Sequence, residues 1–151
     1  MKKFFTVVGI FFSVLIVIGI IGFFILNHFG SKLDSQSKAY VDEVVPKIIS
    51  NWDVQTLISE SSSELLKVAP RDKIESMFKA FSDKLGRLKD YKNSKGQAGI
   101  NVTPQGKFTT GAYVAEASFE KGDATVWVRT ILTDEKWQII EFRVNSEALM
   151  P

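Results

Sequence analysis

The stretch Tyr113–Arg129, YVAEASFEKGDATVWVR, decides the fold. Tyr113, Ala115, Ala117 and Phe119 alternate with polar or larger residues, and beyond a Lys-Gly pair Ala124, Val126 and Val128 take up the same alternation. Side chains of a strand point to opposite faces in turn, so this period of two marks a half-buried antiparallel hairpin. A two-residue turn at Lys121-Gly122 sets Ala117 against Val126 and Glu116 against Trp127, which keeps the faces consistent.

Toward the C-terminus, Trp137 to Val144 continues the alternation after a turn at Thr133 to Glu135. Matching Val126 and Val128 with Phe142 and Ile140 needs an odd loop or a bulge, because an even register opposes Val128 to Glu141. Glu116, Trp127, Arg129, Glu141 and Arg143 then share the face away from the core. On the N-terminal side, a weaker strand between Asp90 and Val102 leads through the turn Pro104-Gln105-Gly106-Lys107 into the hairpin.

Before Gly86 the period changes to three and four. Tyr40, Val41, Val44, Val45, Ile48, Ile49 and Trp52 form one helical stripe, which Pro46 is expected to kink or interrupt. Asp53 caps a short helix through Val54, Leu57 and Ile58, and Ser61 with Glu64 offers a capping box ahead of Leu65, Leu66 and Val68. After Pro70, the residues Ile74, Met77, Phe78, Phe81, Leu85 and Leu88 make another stripe that Gly86 can stop. The pattern predicts an α+β domain of three helices packed on a curved antiparallel sheet.

The pieces Phe81-Ser-Asp-Lys-Leu-Gly86, Ala117-Ser-Phe-Glu-Lys-Gly-Asp-Ala124 and Lys136-Trp-Gln-Ile-Ile-Glu-Phe142, in this order of elements, carry a resemblance. Residues 40 to 147 are similar to small bacterial proteins of unknown function with a cystatin-like, nuclear-transport-factor-2-like cone fold. The shared features are structural, so the resemblance implies a fold and transfers no functional residue. One anchor helix followed by such a domain also resembles, in layout only, the inner-membrane assembly component of type IV secretion systems.

The anchor is the opening run FFTVVGIFFSVLIVIGIIGFFIL, Phe4 to Leu26, which carries no charge. As a helix it extends roughly 35 Å, against about 30 Å of hydrocarbon. A cleaved signal peptide has a shorter apolar core and a small-x-small site, which Asn27-His28-Phe29-Gly30-Ser31 does not offer. Lys2 and Lys3 hold residues 1–3 in the cytoplasm by the positive-inside rule. The expectation is therefore a single-pass inner-membrane protein: transmembrane helix 4–26, linker 27–38, and a domain 39–151 that is periplasmic or extracellular. Gly9 with Ser13, and Gly19 with Gly22, provide small surfaces for close helix packing. His28, the sole histidine, falls at the headgroup level.

Of the 151 residues, nineteen are Lys or Arg and seventeen Asp or Glu. Setting aside Lys2 and Lys3 leaves a formally neutral domain, which argues against nucleic acid as a partner. With no cysteine there is no disulfide, thiolate nucleophile or thiolate metal site. No catalytic, metal-ligating or cofactor-binding pattern stands out. Lys84, Arg87, Lys89, Lys92 and Lys95 make a local basic edge around Asp90.

Two functional expectations follow. The first is a membrane-tethered interaction or assembly module, meeting another copy or an envelope protein through Trp127, Arg129, Glu141 and Arg143; aromatic and arginine side chains are enriched at interfaces. The second is a small-ligand pocket between helices and sheet lined by Trp52, Phe78, Phe81 and Tyr113. An isomerase-like enzyme ranks third.

Overall fold

A computed structural model of the chain describes residues 16–18, 20–21 and 32–150. The chain divides into two compact units, Met1–Leu33 and Asp34–Pro151. In the first, residues 16–18 and 20–21 are helical and exposed. The rest of the expected membrane helix 4–26 lies outside the described residues, and among those described no helix is long and apolar enough to cross a membrane.

The second unit is α+β. Its helices are α1 (residues 32–49, of which 34–49 belong to this unit), α2 (Val54–Glu60), α3 (Ser63–Val68) and α4 (Arg71–Leu85). Five antiparallel strands follow: β1 (Leu88–Tyr91), β2 (Lys95–Thr103), β3 (Gly106–Phe119), β4 (Gly122–Thr133) and β5 (Lys136–Asn145), then a 3-10 turn, Glu147–Leu149. Strand β3 holds the curved sheet together, with β1 and β2 sharing one of its edges, β4 on the other, and β5 outside β4.

Four helices precede the sheet where three were expected, and the segment read as linker, up to residue 38, is already helical from residue 32. Nor does Pro46 break α1. Val41, Val44, Val45, Ile48 and Ile49 are buried on both sides of it. At about 1.5–3 kcal/mol per buried aliphatic side chain, holding that stripe in one piece outweighs the roughly 3 kcal/mol of an interior proline.

Helix α1 ends when Trp52 takes a left-handed conformation, φ 55°. The Asp53 N–H then bonds back to the Ile48 carbonyl at 2.8 Å, and Asp53 accepts the Thr56 N–H at the start of α2. A non-glycine residue in that conformation costs about 1–2 kcal/mol. Aromatic packing offsets it: the Trp52 ring stacks on Phe119 at 5.3 Å and meets Phe78 at 5.6 Å and Phe81 at 5.2 Å. Its indole N–H donates to the carbonyl of Gly86, whose φ of 77° ends α4. Ser62, not Ser61, caps α3; Ser61 closes α2 and bridges to Ile139 of β5.

The face assignment of the hairpin holds, while its register differs by two residues. Phe119 pairs with Gly122, so the turn is Glu120-Lys121, Ala117 faces Ala124 and Val114 faces Trp127. The Glu120 and Lys121 N–H groups bond to the carbonyls of Arg87 and Leu85 at the end of α4, which fixes them as the corner. Between β4 and β5, Val128 faces Phe142 and Val126 faces Val144, where Ile140 and Phe142 were expected. The required bulge is present between Arg129 and Thr130. The turn itself is Asp134-Glu135, both residues with positive φ, as a type I′ hairpin turn requires.

Replacing Trp52 with alanine removes three ring contacts and the bond to Gly86. We expect a loss of about 3–5 kcal/mol in urea unfolding of the full-length protein. A loss below about 1 kcal/mol would mean that this cluster does not hold α1 and α4 to the sheet.

Candidate functional site

Among the described residues, the helices cover one face of the sheet and leave the other bare. Inward residues of β3 and β4, from Tyr113 to Phe119 and Ala124 to Thr130, are buried at every second position. The intervening residues form cross-strand rows on the outer face. One row runs Lys95, Val114, Trp127, Arg143, and the next Gln97, Ala112, Arg129, Glu141.

The bulge in β5 builds this arrangement. Trp137 and Ile139 point inward, and strict alternation would send Glu141 and Arg143 after them. The extra residue, Ile140, resets the alternation, so Phe142 turns inward while Glu141 and Arg143 turn outward. Pairing then sets Trp127 directly against Arg143 and Arg129 directly against Glu141.

At this spot Glu141 bridges two cations, Arg129 at 3.4 Å and Arg143 at 3.7 Å. The Arg143 guanidinium lies 5.8 Å from the centroid of the Trp127 ring, which is 44% exposed. Solvent-exposed pairs of this kind contribute only about 0–1 kcal/mol to folding. Their effect is to hold planar groups in a fixed pattern around a shallow concavity of about 330 Å³, whose wall also includes Lys95, Ala112 and Val114. A rigid aromatic ring beside preset donors and an acceptor suits docking against a polypeptide surface.

Further along the same face lies a larger polar concavity of about 790 Å³, edged by Lys92, Glu116, Lys121, Asp123, Asn145 and Glu147. Its charges are of both signs. Among the described residues, no three His, Asp or Glu side chains come together in a way that could hold a metal ion.

Of the four residues expected to line an inner pocket, Tyr113 borders the smaller concavity, and the other three pack against one another. Trp52, Phe78 and Phe81 pack ring against ring, and Phe78 also meets Phe142 at 6.0 Å. Tyr113 stands apart from them, with its hydroxyl donating to Asp34 at 3.1 Å. Neither concavity is lined by Trp52, Phe78 or Phe81.

A polar seam along α1 went unread in the sequence. Asp42 accepts from the Tyr91 hydroxyl and the Ser94 N–H at 2.8 Å each and from Lys38 at 2.6 Å. Two turns earlier, Asp34 accepts the Ala98 N–H of β2 at 3.1 Å. Burial raises the Tyr113 phenol, with Asp34 adding to it against Ser37, to about 12; burial and Asp42 likewise raise Tyr91. The signal lay in two carboxylates eight residues apart, flanking the apolar stripe of α1. It fixes the helix along β1 and β2.

No family model, curated protein or solved structure matches this chain. Its chemistry is therefore read from its own residues.

Burial alone would raise the Asp42 carboxyl, but bonds from Lys38, Ser94 and Tyr91 outweigh it and hold it below the usual carboxylate value. A depressed folded-state value stabilises the ionised form. That contribution is complete above about pH 5 and is lost as the pH falls below about 3.9, the unfolded value. Asp42→Asn should therefore cost about 1–2 kcal/mol at pH 7 and flatten the fall of stability between about pH 4 and pH 2. An unchanged acid limb in urea titrations would show that Asp42 is not held in this way.

Proposed function

We propose that this protein is a membrane-tethered interaction module, with the domain from Asp34 onward held at the membrane by the apolar segment 4–26. On this reading its helices and sheet form a cystatin-like, nuclear-transport-factor-2-like cone. The working surface is the outer sheet face around Trp127, Arg129, Glu141 and Arg143, and the partner is another copy or an envelope protein.

The observation that carries the reading is the exposed Trp127 ring, set among charged side chains whose positions a β-bulge determines. Burying a tryptophan would add to the stability of the isolated domain, and this one is left accessible beside a concavity. The filled aromatic cluster on the inner face removes the main support for a small-ligand pocket there. The Tyr113 and Tyr91 phenols, raised by burial and bonded to Asp34 and Asp42, fit groups that tie α1 to the sheet better than a proton-transfer site.

Trp127→Ala and Arg143→Ala in the full-length, detergent-solubilised protein should each weaken association about tenfold or more, as expected for anchors worth at least about 2 kcal/mol. Far-UV circular dichroism should not change, since both side chains are exposed. A wild-type protein that stays monomeric at every concentration and captures no partner on crosslinking in membranes would end this reading.

A further inference from the structure

The two edges of the sheet are finished differently. On the β2 side, carboxylates of α1 lie along the edge: Asp34 accepts the Ala98 N–H at 3.1 Å, and Asp42 the Ser94 N–H at 2.8 Å just before the strand begins. On the β5 side the edge is met at Ile139, where Ser61 bridges and the Ser62 N–H donates to the Ile139 carbonyl at 2.8 Å. From Ile140 to Val144 no described residue pairs with that edge, and after Asn145 the chain leaves the sheet for the 3-10 turn. An open strand edge is a row of N–H and C=O groups ready to take another strand.

The β-bulge decides which groups the open stretch presents. In an antiparallel ladder, the N–H and C=O of one residue turn toward one neighbouring strand, and those of the next residue toward the other. Ile139 turns its groups away from β4, toward Ser61 and Ser62. The extra residue Ile140 passes that orientation on to Phe142 and Val144 instead of Glu141 and Arg143. Phe142 is also the midpoint of the open stretch 140–144. A two-fold axis at Phe142 pairs the stretch with its own copy, each Phe142 exchanging both backbone bonds with the other, as a self-complementary contact requires.

Charge selects this register. Centred on Phe142, it sets Glu141 against Arg143 of the other copy, twice by symmetry. A slip of two residues opposes Glu141 to Glu141 in one direction and Arg143 to Arg143 in the other, and like charges directly opposite destabilise a pair. A slip of one residue puts the outer side chains of each copy opposite the inner ones of the other. In the selected register the outer rows continue across the join, from Trp127 and Arg143 to Glu141 and Arg129 of the other copy. On the inner side Phe142, half-buried in a single chain, meets Phe142 of the other copy.

We propose that the partner is a second copy of this chain, joined edge to edge through β5 in antiparallel register about Phe142, so that the two sheets run on as one. This rests on the reading of the outer face as a contact surface and names its occupant.

The full-length protein, which has no cysteine of its own, is made as Glu141→Cys and as Arg143→Cys with different tags. Glu141 and Arg143 are 38% and 65% exposed, so neither change reaches the core. Opposed residues next to a hydrogen-bonded pair lie about 4.5 Å apart at Cα, within reach of a disulfide. Mixed in detergent and oxidised, the two variants set one cysteine against the other and keep the second Glu141–Arg143 contact. Pairs of the same variant lose both contacts and hold their cysteines two residues out of register. The expected result is a mixed disulfide that forms several-fold faster than either like one. Equal rates, or a like disulfide ahead, overturns the edge pairing. So does the absence of any disulfide; capture of an envelope protein by a photoreactive group at position 127 then leaves the contact face standing with a different partner, and no capture ends both readings.

Discussion

Where α1 crosses β3, at Gly111, the strand puts no side chain of its own toward the helix. A Cβ there would lie 2.7 Å from Ser37 Oγ, from Thr130 Oγ1 and from the Tyr113 ring. Ser37 and Thr130 close over the spot with a buried hydrogen bond of 3.2 Å. Such an approach fixes both the height of α1 above the sheet and which residues of β3 face inward. Ala117, also small, lies in the same buried cluster as Val41, Val45 and Ile48. Since neighbouring residues of a strand face opposite ways, the same constraint assigns Ala112, Val114 and Glu116 to the outer side.

The outer face inherits its composition from that choice. Pairing through β4 carries the assignment to Trp127 and Arg129, and the β5 bulge brings Glu141 and Arg143 into line with them. A bulge costs ladder hydrogen bonds, and here it yields the alignment of a glutamate with two arginines beside an exposed tryptophan. At the other margin, the bonds from Asp34 and Asp42 tie α1 along β1 and β2. One face is thus committed to the core, and among the described residues the other is left exposed.

Much of this was legible in the sequence because facing depends on a period of two. Tyr113, Ala115, Ala117 and Phe119 could be placed inward, and Trp127, Arg129, Glu141 and Arg143 grouped outward, without the register. The register was not legible, because a slip of two residues leaves every face unchanged and puts Ala124 or Val126 equally well against Ala117. What chooses between them is distant: the carbonyls of Leu85 and Arg87 hold Glu120-Lys121 as the corner. Pro46 is a similar case: its local backbone cost is visible in the sequence, whereas the burial of Val44, Val45, Ile48 and Ile49 that outweighs it depends on the folded core. The need for a bulge followed from Glu141, whereas its place at Ile140 depends on the Asp134-Glu135 turn. The aromatic stripe of Trp52, Phe78 and Phe81 could line a cavity or fill one, and spacing alone does not distinguish the two; ring-to-ring packing does.

The outer sheet face as the working surface is the central claim, and photocrosslinking in native membranes tests it most directly. A photoreactive phenylalanine derivative in place of Trp127 is compared with the same group in place of Lys79, on the exposed side of α4. A discrete crosslinked protein product from position 127 and none from 79 is the predicted result. Products from 79 with none from 127 would place the contact on the helical side and contradict the account.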